Sequence, residues 1–242
     1  MQLVARMLAD DGPLTRSEVA ERLERAGIEL NSMTRLHVMR LAVTTGIACL
    51  GPDRGKTTCL IRREDWLGKQ PRLDRDKALA ELARVYLRAF GPATDRDFAY
   101  WAGLPIRDVR AGLEAIAGEI DEVPVGDETM LVLQGPRPRL PAAGQVRMLG
   151  NFDTYLLGWK DRRFSVTDEH QLHVKEGGGG WIRPVIVEDG IVIGGWRTSR
   201  KGGGLEISLN LPKAERNRLG AKLDTEVADI ARFEDSEVEL VG

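Results

Sequence analysis

Three stretches of the chain hold side chains that could do chemistry. DEHQLH at 168–173 puts His170 and His173 beside Asp168 and Glu169. A metal there would need two more ligands converging from elsewhere, and neither cysteine is near in sequence, so no metal site is expected. NFDTYLLGWKDRR at 151–163 contains Asp153. A buried carboxylate beside DNA could stabilise positive charge developing on a sugar; the plainer role for Asp153 is to cap the helical turn after it. Gly55-Lys56-Thr57 has the ending of a phosphate-binding loop. The position five residues before Gly55 is Leu50, not glycine, and the next residues, TTCLI, read as a strand, so no nucleotide cofactor is expected.

The other candidates are cations. Arg54 and Lys56 sit at a turn from which they could reach a phosphate, or be merely solvated. GGWRTSRKGGG at 194–204 holds Arg197, Arg200 and Lys201 within five residues, a basic hairpin able to track a nucleic-acid backbone. His37 and Arg40 share a helix face, and Arg107 and Arg110 share another. Lys160, Arg162 and Arg163 come closely after Asp153. The net charge of −2 argues against a protein that coats DNA without preference, because phosphate neutralisation supplies most such binding. A local basic face remains compatible with it. Aromatics are only 5%, so no long stacking platform for single strands is expected.

The elements that position these residues repeat. GPLTRSEVA at 12–20 and GPATDRDFA at 91–99 share Gly, Pro, Thr and Ala at equal offsets. In each, Gly-Pro breaks a preceding amphipathic helix, and Thr15 or Thr94 caps the next, with Glu18 or Asp97 three residues on as a capping box. The first module runs from a helix with Leu3, Val4, Met7 and Leu8 inward to one with Val19 and Leu23 inward. A third helix comes next, capped by Asn31 or Ser32, with Leu36, Met39 and Val43 inward. IACLGPDRGKTTCLI then makes a hairpin around residues 51–55, which could place Cys49 opposite Cys59; a reduced pair is the favoured state. The second module repeats the order. Leu79, Leu82, Ala83, Tyr86, Leu87 and Phe90 precede Phe98 and Trp101, a helix opened by Pro105 carries Val109, Leu113 and Ile116 inward, and the hairpin IDEVPVGDETMLVL has the acidic tip Asp127-Glu128. Three helices and a hairpin is the winged-helix order, in which the third helix enters a groove.

The fold expected is α+β: tandem winged helices at 1–62 and 77–134, a linker at 63–76, and a C-terminal domain at 135–242. Residues 135–150 read as a Gly/Pro/Arg-rich connection. Beyond it, RPVIVEDGIVIGGWR turns at Asp189-Gly190, LEISLNL and SEVELV add strands to an antiparallel sheet, and a helix from Pro212 to Arg232 covers it through Leu219, Leu223, Val227 and Ile230. No apolar run reaches the roughly 20 residues of a membrane span, and the N-terminus lacks a secretory signal pattern. A cytoplasmic monomer is expected.

GPATDRDFAYWAGLP at 91–105, NFDTYLLGWKDR at 151–162 and GGGWIRPVIVEDGIVIGGWR at 178–197 resemble the AlkZ/YcaQ-like winged-helix DNA glycosylases. The likeness runs from about residue 10 to the C-terminus. It implies a partner in duplex DNA, plain, alkylated or crosslinked, and a chemistry of excising alkylated purines and unhooking interstrand crosslinks. It also implies that residues 168–183 form a DNA-probing hairpin, with His170, His173 and Lys175 as contacts. Family chains carry a further N-terminal winged helix with a catalytic Gln-x-Gln or Gln-x-Asp pair. Here Gln2, Gln70, Gln134, Gln145 and Gln171 have neither Gln nor Asp two residues on. No catalytic residue transfers, and a DNA-binding chain without excision activity is the leading expectation. An active glycosylase centred on Asp153 and the 168–175 segment, and a protein-interaction scaffold, are the alternatives.

Overall fold

The computed structural model describes residues 1–241 except 72, 137, 138, 140, 175–179, 202 and 203, and omits the side chain of Lys201. The chain divides into two compact units, Met1–Leu73 and Asp74–Gly242. No described helix is long and apolar enough to cross a membrane.

In the first unit α1 (Gln2–Asp11) ends at Gly12, and β1 (Leu14–Thr15) leads into α2 (Arg16–Arg25). Thr15 caps α2 in the expected box: the Glu18 N–H donates to Thr15 Oγ1 at 3.3 Å and the Thr15 N–H donates to Glu18 Oε2 at 2.7 Å. Asn31 caps α3 (Ser32–Thr44) by accepting from the Thr34 N–H. β2 (Ala48–Arg54) and β3 (Thr57–Arg62) form the hairpin, and β1 adds to it in the order β1-β3-β2. Val4, Leu8, Leu14, Val19, Leu23, Ala42, Ala48 and Leu60 make an aliphatic core.

Three expectations need correction. Leu36 points outward, 50% exposed, while Val38, Met39, Ala42 and Val43 face the core. The reversal falls at Gly55, not across 51–55, because a register shift between Leu50 and Asp53 carries β2 onward to Arg54. Cys49 therefore pairs with Ile61, and Cys59 pairs with Thr15 of β1; both thiols are free. The region expected as a linker contains α4 (Arg63–Leu67) and the start of α5 (Arg75–Phe90).

In the second unit α5 is followed by α6 (Asp95–Ala102), α7 (Ile106–Glu114) and the hairpin β4 (Ile120–Val125) and β5 (Glu128–Leu133). The core here is aromatic. Tyr86 stacks on Phe98 at 4.7 Å between ring centres and lies beside Phe90 and Trp101. Gly112 lets α7 approach α5 closely, since a Cβ there would sit 2.6 Å from the Leu79 carbonyl oxygen.

Residues 77–134 do not stand apart from the C-terminal part of this unit; the two share a core. Tyr86 Oη donates to the Gly158 carbonyl at 2.9 Å, Trp159 Nε1 donates to the Pro92 carbonyl at 3.2 Å, and Trp159 meets Phe90 edge-on. Gly158 comes directly after α8 (Thr154–Leu157), and a Cβ on it would lie 2.2 Å from the Phe90 ring. The stretch expected as a plain connection holds β6 (Val146–Leu149), which precedes α8 and begins the C-terminal sheet.

A 3₁₀ turn at Asp168–His170 and α9 (Gln171–Val174) occupy the first seven residues of the segment expected as a probing hairpin. That segment is helical up to Val174, and Lys175 lies outside the described residues. β7 (Val185–Glu188), β8 (Ile191–Lys201), β9 (Gly204–Asn210), α10 (Lys213–Glu234) and β10 (Val238–Val241) complete the chain, with sheet order β10-β9-β8-β7-β6. Asp189 and Gly190 both adopt positive φ, 49° and 86°, the geometry an Asp-Gly hairpin turn requires. Alternation along β7 sends Ile186 toward Leu219 and Leu223 of α10, and sends Val185 and Val187 toward Leu156 and Val174. The sheet is antiparallel except at one edge. β10 pairs parallel with β9, because α10 crosses over between them and returns the chain in the same direction.

Candidate nucleic-acid interface

The cations of the first unit divide into free and engaged ones. His37 and Arg40 lie exposed on α3, and Lys56 lies exposed in the β2–β3 turn; none has a side-chain partner among the described residues. Arg54 is engaged. Its guanidinium donates to Glu18 Oε1 at 2.7 Å and to the Pro13 carbonyl at 2.6 Å. The same Glu18 closes the capping box, so the hairpin arginine is tied to the start of α2. The Glu18 carboxyl is held below its ordinary range, first by the Thr15 backbone N–H, with Arg54 contributing less.

In the second unit an open cleft of about 1070 Å³ brings together Arg110, Lys160, Arg162 and Arg163. Asp97 builds it. This carboxylate is 4% exposed and accepts from the Thr94 N–H and hydroxyl through one oxygen. Its other oxygen accepts from the Lys160 and Asp161 N–H groups at 2.9 and 3.4 Å. One side chain thus caps α6 and pins the loop after α8. The Lys160 ammonium points outward without a described partner.

The arginines of the cleft are mostly engaged. Arg110 donates to Asp95 at 2.7 Å. Arg163 donates to Asp161 at 2.7 Å, and that bond holds the Asp161 carboxyl below its usual value. Arg162 donates to the Leu156 carbonyl and to Tyr100 Oη, an anchoring role that locks the end of α8. Glu114, Glu122 and Glu128 also line the cleft, so its field is mixed in sign. Arg107 is 85% exposed, with Asp108 at 3.6 Å.

His170 and His173 stack with ring centres 5.7 Å apart. His170 Nδ1 meets Thr167 Oγ1 at 2.7 Å, and His173 Nδ1 lies 3.3 Å from Asn210 Nδ2. Burial, then the neighbouring His170 and Arg183, push the His173 pKa down, which favours a neutral ring. Among the described residues no group of three His, Cys, Asp or Glu side chains could hold a metal. Asp153 is the N-cap of α8 and accepts from the Tyr155 N–H at 2.8 Å, the plainer of its two roles. On β8, Arg197 is exposed without a described partner, and Arg200 donates to Glu234 of α10 at 2.7 Å. The Lys201 side chain is outside the described set.

His173 and Arg197 meet in a second cavity together with Trp181 and Arg183. Trp181 and Arg183 flank the Gly-rich run GGGGWIR, where a lone aromatic beside glycines and a cation was the available signal. Arg96 and Tyr100, also near the first cleft, carry no such mark; they follow only from the α6 face that Asp97 orients.

The chain spans about 63% of the length of one curated relative, the interstrand DNA cross-link repair glycosylase of Streptomyces sahachiroi, and is 32% identical to it over 93% of its own residues. The solved structure of the Streptomyces sahachiroi DNA glycosylase AlkZ superposes with a TM-score of 0.72 at 27% identity, covering 99% of this chain and 68% of that one. A family model described as DNA glycosylase AlkZ-like matches residues 1–233. The helix caps, strands β6 to β9 of the C-terminal sheet and the Trp/Arg-bearing segment after the glycines all fall within that match, and the chain belongs to the AlkZ-like DNA glycosylase family.

Proposed function

We propose that this chain binds duplex DNA as the DNA-engaging part of an AlkZ-like system for alkylated or crosslinked DNA, and that these 242 residues do not excise bases by themselves. The family membership carries the choice of partner. Of the candidate contacts, Arg40, Lys56, Lys160 and Arg197 are exposed and without a described partner, and so are free to meet phosphates. Arg54, Arg110, Arg163 and Arg200 must first exchange a carboxylate for a phosphate, so they add less to affinity. The element order, and His37 and Arg40 on the exposed face of α3, support a docking of that helix in the winged-helix manner. Excision would need a group to activate water and one to stabilise an oxocarbenium-like sugar, and the Asp153 carboxylate is occupied as a cap.

Anisotropy titrations on plain, alkylated and crosslinked duplexes test this. Each of these cations that meets a phosphate is expected to add about −0.9 to the log K against log salt slope. The double variant Arg40→Ala/Lys56→Ala is expected to reduce that slope by about 2. No binding at ~50 mM salt, where phosphate contacts are strongest, ends the proposal. Abasic sites appearing in 7-methylguanine DNA, and lost on Asp153→Asn, would replace it with the active-enzyme reading.

A protein partner is the second reading, favoured by α3 itself, which exposes Met33 and Leu36 at 63% and 50%. It predicts capture that is insensitive to salt.

A further inference from the structure

The sheet of the second unit carries a cavity of about 570 Å³ with Arg197 in its lining. Its floor is the β8–β9 pair. The register Gly195↔Asn210 and Arg197↔Ser208 places Arg197, Ser208 and Asn210 on one face, while Trp196 and Leu209 turn to the core on the other. Gly195, on the same face, adds no side chain to that floor.

The rim is aromatic. Trp181 is 49% exposed and is braced edge-to-face by Phe152 at 4.9 Å. Phe152 holds φ at 54°, a left-handed conformation that is strained for a non-glycine residue, and it is itself 41% exposed. That backbone conformation sets the ring of Phe152 against Trp181. The contrast with the larger cleft is chemical. That cleft is lined by carboxylates as well as cations. No carboxylate stands among the described residues lining this cavity, where the exposed Arg197 supplies positive charge and Asn210 and Ser208 supply neutral hydrogen-bonding groups. Glu206 lies further along β9, where it accepts from Ser199, outside the lining.

We infer that this cavity holds one nucleotide unit, its base against Trp181 and its phosphate on Arg197. The volume falls within the range of small-molecule sites, and one tryptophan is enough for one base even where the composition rules out a long stacking platform. The nucleotide comes either from a single-stranded or frayed segment of DNA or from a free mononucleotide. The first source rests on the DNA-binding reading above; the second does not.

The test uses the full chain, a fluorescent (dT)6, the mononucleotide dTMP and a 20-base-pair duplex. Binding of (dT)6 read by anisotropy, or of dTMP read by tryptophan quenching, is expected. Trp181→Ala is expected to weaken it about tenfold or more, and Trp181→Phe by less than about threefold, since the stacking face survives. Arg197→Ala is expected to weaken it about fivefold and to flatten the salt slope by about 0.7. Both side chains are exposed, and an unchanged thermal transition checks that the variants are folded. Competition of (dT)6 by dTMP identifies the free nucleotide as sufficient; (dT)6 binding without dTMP binding assigns the site to a strand. Duplex binding with neither probe bound, or both alanine variants within twofold of wild type, overturns the nucleotide site alone. Failure of every probe, duplex included, overturns the DNA-binding reading as well.

Discussion

The two three-helix modules begin their second helices with the same device and use it differently. Thr15 with Glu18 and Thr94 with Asp97 both close reciprocal capping boxes, with backbone-to-carboxylate distances of 2.7 and 3.0 Å. The difference lies in the second carboxylate oxygen. Glu18 turns its own outward to Arg54, in a pair that stays 32% and 56% exposed. Asp97 is 4% exposed and turns its own inward to the backbone of residues 160 and 161. A repeated motif therefore fixes local geometry and leaves its energy to burial. In water an ion pair contributes little, whereas a buried charged acceptor cannot be removed without stranding its donors. The surroundings divide in the same way: an aliphatic core around α2, and a cluster of Tyr86, Phe90, Phe98, Trp101 and Trp159 around α6.

Removing Asp97 is the strongest way to break this comparison. Asp97→Ala strands the Thr94 and Lys160 N–H groups and frees the loop that carries Lys160, Arg162 and Arg163. A loss of about 2–4 kcal/mol in the second unit is expected. Denaturation followed by tryptophan fluorescence reads it, because Trp101, Trp159, Trp181 and Trp196 lie in that unit and only Trp66 in the other. A shift equal to that of Glu18→Ala would mean that burial does not separate the two boxes.

The caps alone are the middle case. Thr15→Ala and Thr94→Ala each delete one acceptor for a helix N–H, at a cost of about 1 kcal/mol. Thr94→Ala also removes the hydroxyl that donates to Asp97 at 2.6 Å, so it is expected to cost more. Two equal transition shifts would place the whole difference in the carboxylate and none in the threonine.

The devices that were legible in the sequence span three or four residues. Both capping boxes, the Asn31 cap and the Asp189-Gly190 turn need only local chemistry, and each stands where the residues put it. The hidden elements depend on distant partners. β6 lies in a Gly/Pro-rich stretch and becomes a strand because β7 offers it an edge. β10 runs parallel because α10 carries the chain across the sheet, which no residue in SEVELV encodes. Leu36 satisfies helical spacing, but spacing does not say which of two apolar faces the core will take. The candidate interface behaved alike. Residue type identified the cations, but Arg54 finds Glu18 at a separation of 36 positions and Arg200 finds Glu234 at 34, so which charges remain free was not readable.

The smallest effect expected concerns pH in the first unit. The Glu18 carboxyl is held low, chiefly by the Thr15 N–H. A group with a depressed folded-state pKa adds stability above its unfolded value, about 4.3 for glutamate, and loses it as the pH falls through the lower folded value. Wild type is therefore expected to be slightly more stable than Glu18→Gln from about pH 5 to 8, with the two converging as the pH falls through the lowered folded value. Thermal melts at half-unit intervals, read through the Trp66 signal of that unit, check the sign. Parallel curves over the whole range would show that Glu18 acts by packing and not by charge. Its box would then resemble that of Asp97 more closely than its exposure allows.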